Sequence, residues 1–446
     1  MLEPGTTCWR VETAIRAALL VDMEPYLAAA KAAMSGATRS IHFLNWAFDP
    51  DTVLDHAPAG EGSTPEQIGP FLRALSEARP DLTIRILCWQ SALPVAATQR
   101  FFPLRSRRFF HGTRVNFRLD GSLPLGAAHH QKVVIIDDAI AFCGSCDIGP
   151  DRWDTPEHRH PDPRRAKTAG GAACYECRHE IMAMVDGAPA ATLGALFRER
   201  WHRATGETLT EPRTSPVDLW PAHVDPDFRQ ATIGLSRTQA PWKDFPERRE
   251  GEAATLAAIA GARTSLYFEN QYFTSPIVAE ALAQRLQEPD GPEIVLVSTG
   301  HSPSWFDRMT MDKTRDRPAP QVRRVFGRTP QSVSRSVHRR CTGCNLDPRR
   351  RWPGAPAGAP VGVEAGANSA AALGRWLGGC VWPQSRHRGG ADGQGARHVP
   401  TFRPSDAEAS SSSAWCVLTA FQLIDPTRSL SLGQARCKCI WLVHLL

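Results

Sequence analysis

The sequence lacks any run of about 18 apolar residues, the length a membrane-spanning helix requires. The longest candidate, residues 414–424, is interrupted by Thr419 and Gln422. No basic stretch followed by an apolar core opens the chain, so no secretory leader is expected. A cytoplasmic or peripheral membrane location follows as the expectation, with the cysteines as free thiols rather than disulfides. Lysine is also scarce, at 6 residues against 46 arginines. What is present is ordinary: 42% apolar and 22% charged residues, which excludes collagen, coiled coil and wholesale disorder. A length of 446 residues suits two to three domains or one large duplicated fold.

Acidic residues are unevenly spread. From Arg317 onward there are 18 Lys+Arg and 6 Asp+Glu, a net of +12, whereas residues 1–316 hold 34 and 40, a net of −6. The whole-chain charge of +6 therefore says nothing about a nucleic-acid partner for the body. The region after Arg317 has Pro-Gly-Ala runs, arginine clusters, a serine run and half of the 12 cysteines. No window in it sustains an amphipathic helix or a train of alternating strands. It reads as a low-complexity basic tail, either disordered or the out-of-frame product of GC-rich coding. The nucleotide sequence around codon 317 distinguishes the two.

The body alternates strand and helix patterns. Helices are expected over 13–37, 66–78, 188–205, 253–262 and 277–287. Strands are expected over 40–48, 82–89, 115–119, 132–136, 139–143, 180–185, 265–269 and 293–298. Asp137-Asp138 suits a hairpin turn. The pattern implies an α/β protein, a mixed or parallel sheet flanked by helices. Residues 150–173 form a long polar loop, the kind that often carries function.

One constellation carries chemistry: His130-Gln131-Lys132, then Asp137, then Gly144-Ser145-Cys146-Asp147. In a strand, residues i and i+2 share a face, so His130 and Lys132 project together. An imidazole beside a fixed ammonium suits attack on a phosphate, the lysine neutralising oxygens while the histidine attacks phosphorus or moves a proton. Asp137 has the opposite parity and is expected to hold the turn or a neighbouring basic group. His129 faces away and is expected to be structural.

His130, Lys132 and Asp137 match the HxKxxxxD motif, and with Gly144-Ser145, Asp147, residues 152–155 (RWDT) and 269–273 (ENQYF) the chain resembles the lipid-acting branch of the phospholipase D superfamily. The resemblance covers about 300 residues. It implies a phospholipase D-like mixed sheet flanked by helices, with the first half complete and the second half partial. The divisions are then 1–210 for the motif-bearing half, 211–316 for a partial second half and 317–446 for the tail. It also implies a phosphohistidine mechanism without a metal or other cofactor. His130 would be the nucleophile and Lys132 a phosphate ligand, with Asp137 the third motif residue. Glu180 would be the carboxylate that orients the histidine, and Ser145 and Asp147 would lie on the substrate side. The substrate would be a phospholipid headgroup ester, cleaved by water or exchanged with another alcohol, with peripheral membrane contact and no nucleic acid.

The sequence departs from this family at one point. Only His130 is followed by Lys two residues later, and the second HxKxxxxD motif is missing. His338-Arg339-Arg340 with Asn345 is a chance likeness. Two alternatives follow: a catalytically impaired homologue that retains phosphate or lipid binding, or a single-motif phosphodiesterase or nuclease whose site is completed by a homodimer. Two further patterns need a decision between bland and functional readings. Cys143-x-x-Cys146 with Cys174-x-x-Cys177 has zinc spacing, but the strand and the GS step already account for the first pair. Residues 101–110 interleave phenylalanine and arginine, which suits a lipid surface or single-stranded nucleic acid; a half-buried helix with a solvated arginine face is the favoured reading. Trp305-Phe306 suits either a lipid entry or core.

Overall fold

The computed structural model describes residues 2–56, 65–91, 95–96, 102–166, 174–212, 217–263, 265–271, 273–298, 416–424 and 439–442. Trp305-Phe306, His338 and most of the tail lie outside the described residues.

The strands, in chain order, are β1 (Arg10–Val21), β2 (Ser40–Asn45), β3 (Thr83–Trp89), β4 (Asn116–Asp120), β5 (Ala128–His129), β6 (Val133–Ile136) and β7 (Ile140–Gly144), followed by β8 (Ile181–Asp186), β9 (Phe228–Gln239), β10 (Arg248–Arg249), β11 (Ser265–Asn270), β12 (Glu293–Ser298), β13 (Cys416–Ile424) and β14 (Cys439–Leu442). The described helices include α1 (Met23–Gly36), α2 (Ile68–Ala78), α3 (Phe102–Phe109), α4 (Ala188–Thr205), α5 (Glu250–Gly261) and α6 (Pro276–Arg285). A 12-stranded sheet runs β14-β13-β9-β1-β8-β7-β6-β2-β3-β4, with β10 on β9 and β5 on β13, while β11 and β12 form a separate parallel pair. β2, β3 and β4 are mutually parallel; β6, β7 and β8 run antiparallel. The protein is a mixed α/β fold.

Both faces of the sheet are covered, which is why its central strands read as continuous apolar runs. β6 shows the alternation. Val134 and Ile136 join the core beneath α1 and α2, while Val133 and Ile135 join the core beneath α4. The β6–β7 hairpin turns at Asp137 and Asp138, both at positive φ, as a two-residue turn of the mirror-image type requires. α4 starts after Gly187, with proline in its first turn, and ends at Gly206 in the left-handed region, the usual start and stop signals.

Three expectations are corrected. The alanine and leucine content of residues 13–37 suggests one helix; residues 13–21 instead belong to β1, paired to β8 on one side and β9 on the other. Pairing on both edges outweighs a helix propensity of tenths of a kcal/mol per residue. Helix starts only at Met23, after Asp22 at φ 70. The long strand β9 was not expected. It mixes exposed polar residues with a buried central stretch, which blurs any alternation. Within the tail, β13 pairs along β9 and β14 along β13, so the expectation of a tail without strands fails for these two segments. Val417, Thr419, Phe421 and Ile424 give the first of them strong β propensity, and β9 offers it an edge.

A buried polar cluster fastens α4 to the sheet. Arg200 donates to Asp120 Oδ2 at 2.5 Å and to Gln131 Oε1 at 2.7 Å, and His129 Nε2 stands 3.0 Å from Asp120 Oδ2. Arg200 and Asp120 are 2% and 0% exposed. Removing one partner strands the other as an uncompensated buried charge. Arg200→Met is therefore expected to lower unfolding free energy by about 3–5 kcal/mol, measured by urea denaturation. A loss below 1 kcal/mol, roughly what an exposed pair contributes, would contradict this assignment.

Candidate active site

The parallel strands β2 and β3 end at Asn45 and Trp89. Because β6 is antiparallel to β2, with Leu44 opposite Val133, the residues just before β6 arrive at the same end. So do Gly144 at the end of β7, opposite Met182, and Asp22 after Val21, opposite Ile181. His130, Lys132, Ser145, Asp147 and Glu180 all come from this one end of the sheet. Ligand sites of open α/β sheets lie at the carboxyl ends of parallel strands.

Fixed partners on the α4 face set which side chains of the β5–β6 link face the site. His129 and Gln131 point to the α4 face, where Asp120 and Arg200 hold them. His130 and Lys132 are thereby turned the other way. The Lys132 ammonium lies 3.0 Å from His130 Nδ1, 3.1 Å from Nε2 and 3.0 Å from the His130 carbonyl oxygen, to which it donates. Equal distances to both ring nitrogens place the ammonium against the ring as a point charge rather than in line with one lone pair. Lys132 is 2% exposed and 3.9 Å from Asp147, itself 0% exposed. Asp147 accepts from Asn45 Nδ2 at 3.1 Å and from the Ala47 amide at 3.2 Å.

Glu180 accepts from Arg152 Nη1 at 3.2 Å, and its Oε2 is buried with no hydrogen-bond partner. Burial pushes its carboxyl pKa up. Arg152, Arg178 and Lys132 oppose that shift, and Asp147 adds to it. Ser145 is engaged with backbone: its hydroxyl donates to the Ile181 carbonyl at 3.2 Å and accepts from the Ile181 amide at 2.9 Å. Gly144 allows that closeness, because a Cβ there would meet the Ile181 oxygen at 2.3 Å.

Asp137 sits at the far end of β6. Its carboxylate accepts from the amides of Thr38, Arg39 and Ser40 and from the Thr38 hydroxyl, at 2.7–2.8 Å. It anchors the chain entering β2. The structure thus brings His130, Lys132 and Asp147 together, sets Glu180 where it feels the charges of Lys132 and Asp147, and leaves Asp137 as a brace at the other end of the strand.

Trp46 was missed by sequence reasoning. Its ring lies edge-on to His130 at 5.6 Å and stacks on Trp89 at 5.9 Å. Lys132 and Arg152 each stand 6.0 Å from its centre. The signal was present in the sequence, an aromatic residue directly after a buried strand. Within the 101–110 segment, Phe102–Phe109 form α3, with Arg105, Arg107 and Arg108 exposed and Pro103 and Ser106 buried, a half-buried helix with a solvated arginine face. The two CxxC pairs are not gathered: Cys143 and Cys146 lie in different cores, and Cys174 and Cys177 donate to the carbonyls of Asp162 and His158. Among the described residues, no helix is long and apolar enough to cross a membrane.

No family model matches the chain. Phospholipase D alpha 4 of Arabidopsis thaliana is 24% identical over 287 residues, 54% of this chain and 37% of that protein. Phospholipase D A of Dictyostelium discoideum is 24% identical over 285 residues, 58% of this chain and 21% of that protein. Cardiolipin synthase A of Yersinia pseudotuberculosis is 29% identical over 144 residues, 32% of this chain and 25% of that protein. The chain spans less than two fifths of the length of these relatives. Among solved structures, a phosphatidylserine synthase from Haemophilus influenzae aligns over 68% of this chain and 66% of its own at 10% identity and a TM-score of 0.42. A phospholipase D family member from Salmonella typhimurium aligns over 45% of this chain and 99% of its own at 15% identity and a TM-score of 0.25. Its sequence matches to phospholipases D and cardiolipin synthases support the phospholipase D superfamily for this chain.

Proposed function

We propose that this chain cleaves the phosphodiester bond of a phospholipid headgroup through a phosphohistidine on His130. The observation that carries this reading is the Lys132 ammonium held within 3.1 Å of both His130 ring nitrogens, at the strand end where Trp46 and Arg152 also converge. A His130 nitrogen attacks phosphorus and forms the N–P bond. The P–O bond to the headgroup breaks, and the headgroup oxygen leaves as an alcohol after gaining a proton. Water then attacks phosphorus, the N–P bond breaks, and phosphatidic acid is released. A second alcohol in place of water would give a transfer product. Lys132 neutralises charge on the non-bridging oxygens as it develops. Glu180 orients and steadies the imidazole as it becomes cationic, with Asp147 holding Lys132 in place.

The leaving oxygen needs a proton donor, and the sequence holds one His-x-Lys pair, not two. General acid catalysis typically contributes about 10²–10⁴-fold. The chain is therefore expected to cleave a p-nitrophenyl phosphodiester, whose leaving group needs no acid, faster than phosphatidylcholine by about that factor. His130→Ala is expected to abolish both activities and the acid-labile phosphoenzyme. Turnover by His130→Ala equal to the parent would sink the proposed nucleophile.

Glu180 supplies a test of different kind. Its pKa is raised by burial, so the folded state favours the protonated form. Its contribution to stability is fully present at low pH. That contribution is lost as pH rises from the usual glutamate range to the elevated folded value. Glu180→Gln removes this slope. The variant should be at least as stable as the parent at pH 8 in urea titrations, while its turnover falls. A variant markedly less stable than the parent at pH 8 would contradict the assignment.

A further inference from the structure

A second cluster lies beside the catalytic pair and has no part in the chemistry proposed for it. Asp22 follows β1, His158 lies in the long polar loop, and His179 precedes Glu180. One ligating atom from each of the three lies within 4.8 Å of the others. Asp22 is 0% exposed, and its Oδ2 accepts no hydrogen bond, although His158 Nε2 stands 3.5 Å from it. On the other carboxylate oxygen, His179 Nδ1 stands at 3.1 Å from Oδ1. Burying a carboxylate oxygen without a donor is unfavourable, and a cation satisfies it.

The far side of each imidazole is occupied as well. His158 Nδ1 is 3.0 Å from Asp154 Oδ2, and His179 Nε2 is 3.2 Å from Glu269 Oε2. Each histidine thus turns one nitrogen to Asp22 and the other to an outer carboxylate. Metal-binding histidines are fixed in this way: the outer carboxylate takes the N–H, sets the tautomer and leaves the other lone pair for the ion. The spacing fits too. Two ligand atoms on one tetrahedral ion stand about 3.3 Å apart; His179 Nδ1 is 3.1 Å from Asp22 Oδ1 and His158 Nε2 is 3.5 Å from Oδ2, so the carboxylate reaches both imidazoles, one through each oxygen, and one ligand atom from each residue lies within 4.8 Å of the others.

We propose that Asp22, His158 and His179 bind a divalent transition-metal ion of the zinc class, with Asp154 and Glu269 as the outer carboxylates that orient the two imidazoles. Two imidazoles and one carboxylate suit zinc, whereas calcium and magnesium take oxygen ligands. Three protein ligands leave a fourth position for water. The ion joins the end of β1, the polar loop, the entry to β8 and, through Glu269, β11. It also fixes His179 next to Glu180. The inference does not rest on the phosphohistidine reading, since none of the three ligands takes part in it. The competing arrangement is an ion-pair network in which a protonated His179 lies between Asp22 and Glu269, with no metal.

The test uses the full chain, stripped with chelator and equilibrated with zinc by dialysis. About one zinc per chain is expected at micromolar or tighter affinity, with a rise in Tm on loading. His158→Ala and His179→Ala should each lose stoichiometric zinc. Glu269→Gln should weaken binding by about 10–100-fold. The Cys174→Ser/Cys177→Ser variant should bind as the parent does. Should the histidine variants not fold, cobalt substitution of the parent chain decides the matter. Ligand-field bands without a sulfur-to-cobalt charge-transfer band support the site, and a thiolate band overturns it. No stoichiometric zinc on the parent chain, or zinc retained by the folded histidine variants, likewise overturns the proposal and leaves the ion-pair network as the description.

Discussion

The arrangement of the candidate site depends on one buried cation. Arg200, on α4, reaches through the core to Asp120 at the end of β4 and Gln131 before β6. His129 completes the cluster on the same carboxylate. Residues 129 and 131 are thereby pinned to the α4 face. Residues 130–132 link β5 to β6, and with His129 and Gln131 held there the intervening His130 and Lys132 side chains meet each other instead, the ammonium 3.0 Å from His130 Nδ1. The pairing on which the proposed chemistry rests is thus braced by an ion pair on the other side of the sheet. The same arginine opposes the desolvation that would otherwise raise the pKa of Asp120, which the pair holds well below the usual carboxylate range. For His129 the balance runs the other way. Burial first, and the charge of Arg200 second, lower its pKa to about 3, so it is a neutral buried ring throughout the physiological range.

A second brace acts at the other end of β6. Asp137 closes the hairpin turn and collects four donors from residues 38–40, which fixes β6 in register with β2. A slip by one residue would exchange the two faces of β6 and turn His130 and Lys132 into the α4 core. The carboxylate of the motif therefore matters to the pair without touching it, through register rather than contact.

Much of this was legible in the sequence, for reasons that can be named. The spacing of His130 and Lys132, the Asp137-Asp138 turn and the span of α4 follow from rules that are local in the chain, such as parity, turn residues and helix caps. What was not legible depends on distant partners. β1 looks helical by composition and is a strand because β8 and β9 flank it. β9 carries too little alternation to be recognised without those neighbours. The cysteine pairs show the same limit. Their spacing matches a zinc site, yet the sheet sends Cys143 and Cys146 into different cores. The groups that do meet, Asp22, His158 and His179, are separated by up to 157 residues and share no motif.

Charge closes the argument about what the site can hold. The body of the chain is acidic and the region after residue 316 basic, so net charge alone does not account for capture of an anionic phosphodiester. Capture has to be local. At the end of the sheet, Asp22, Asp147, Asp154, Glu180 and Glu269 stand among Lys132, Arg152, Arg165 and Arg178. A phosphate added to this set is held best where positive charge is concentrated on one side and negative charge satisfied on the other. The structure separates them in this way. Lys132 and Arg152 gather around Trp46 and His130, whereas Asp22, Asp154 and Glu269 face the imidazoles of His158 and His179. Glu180 stands between the two groups, paired with Arg152 on one oxygen and partnerless on the other. Its charge is the one most sensitive to what binds on either side, since an anion at Lys132 would favour its protonation and a cation at Asp22 its ionisation.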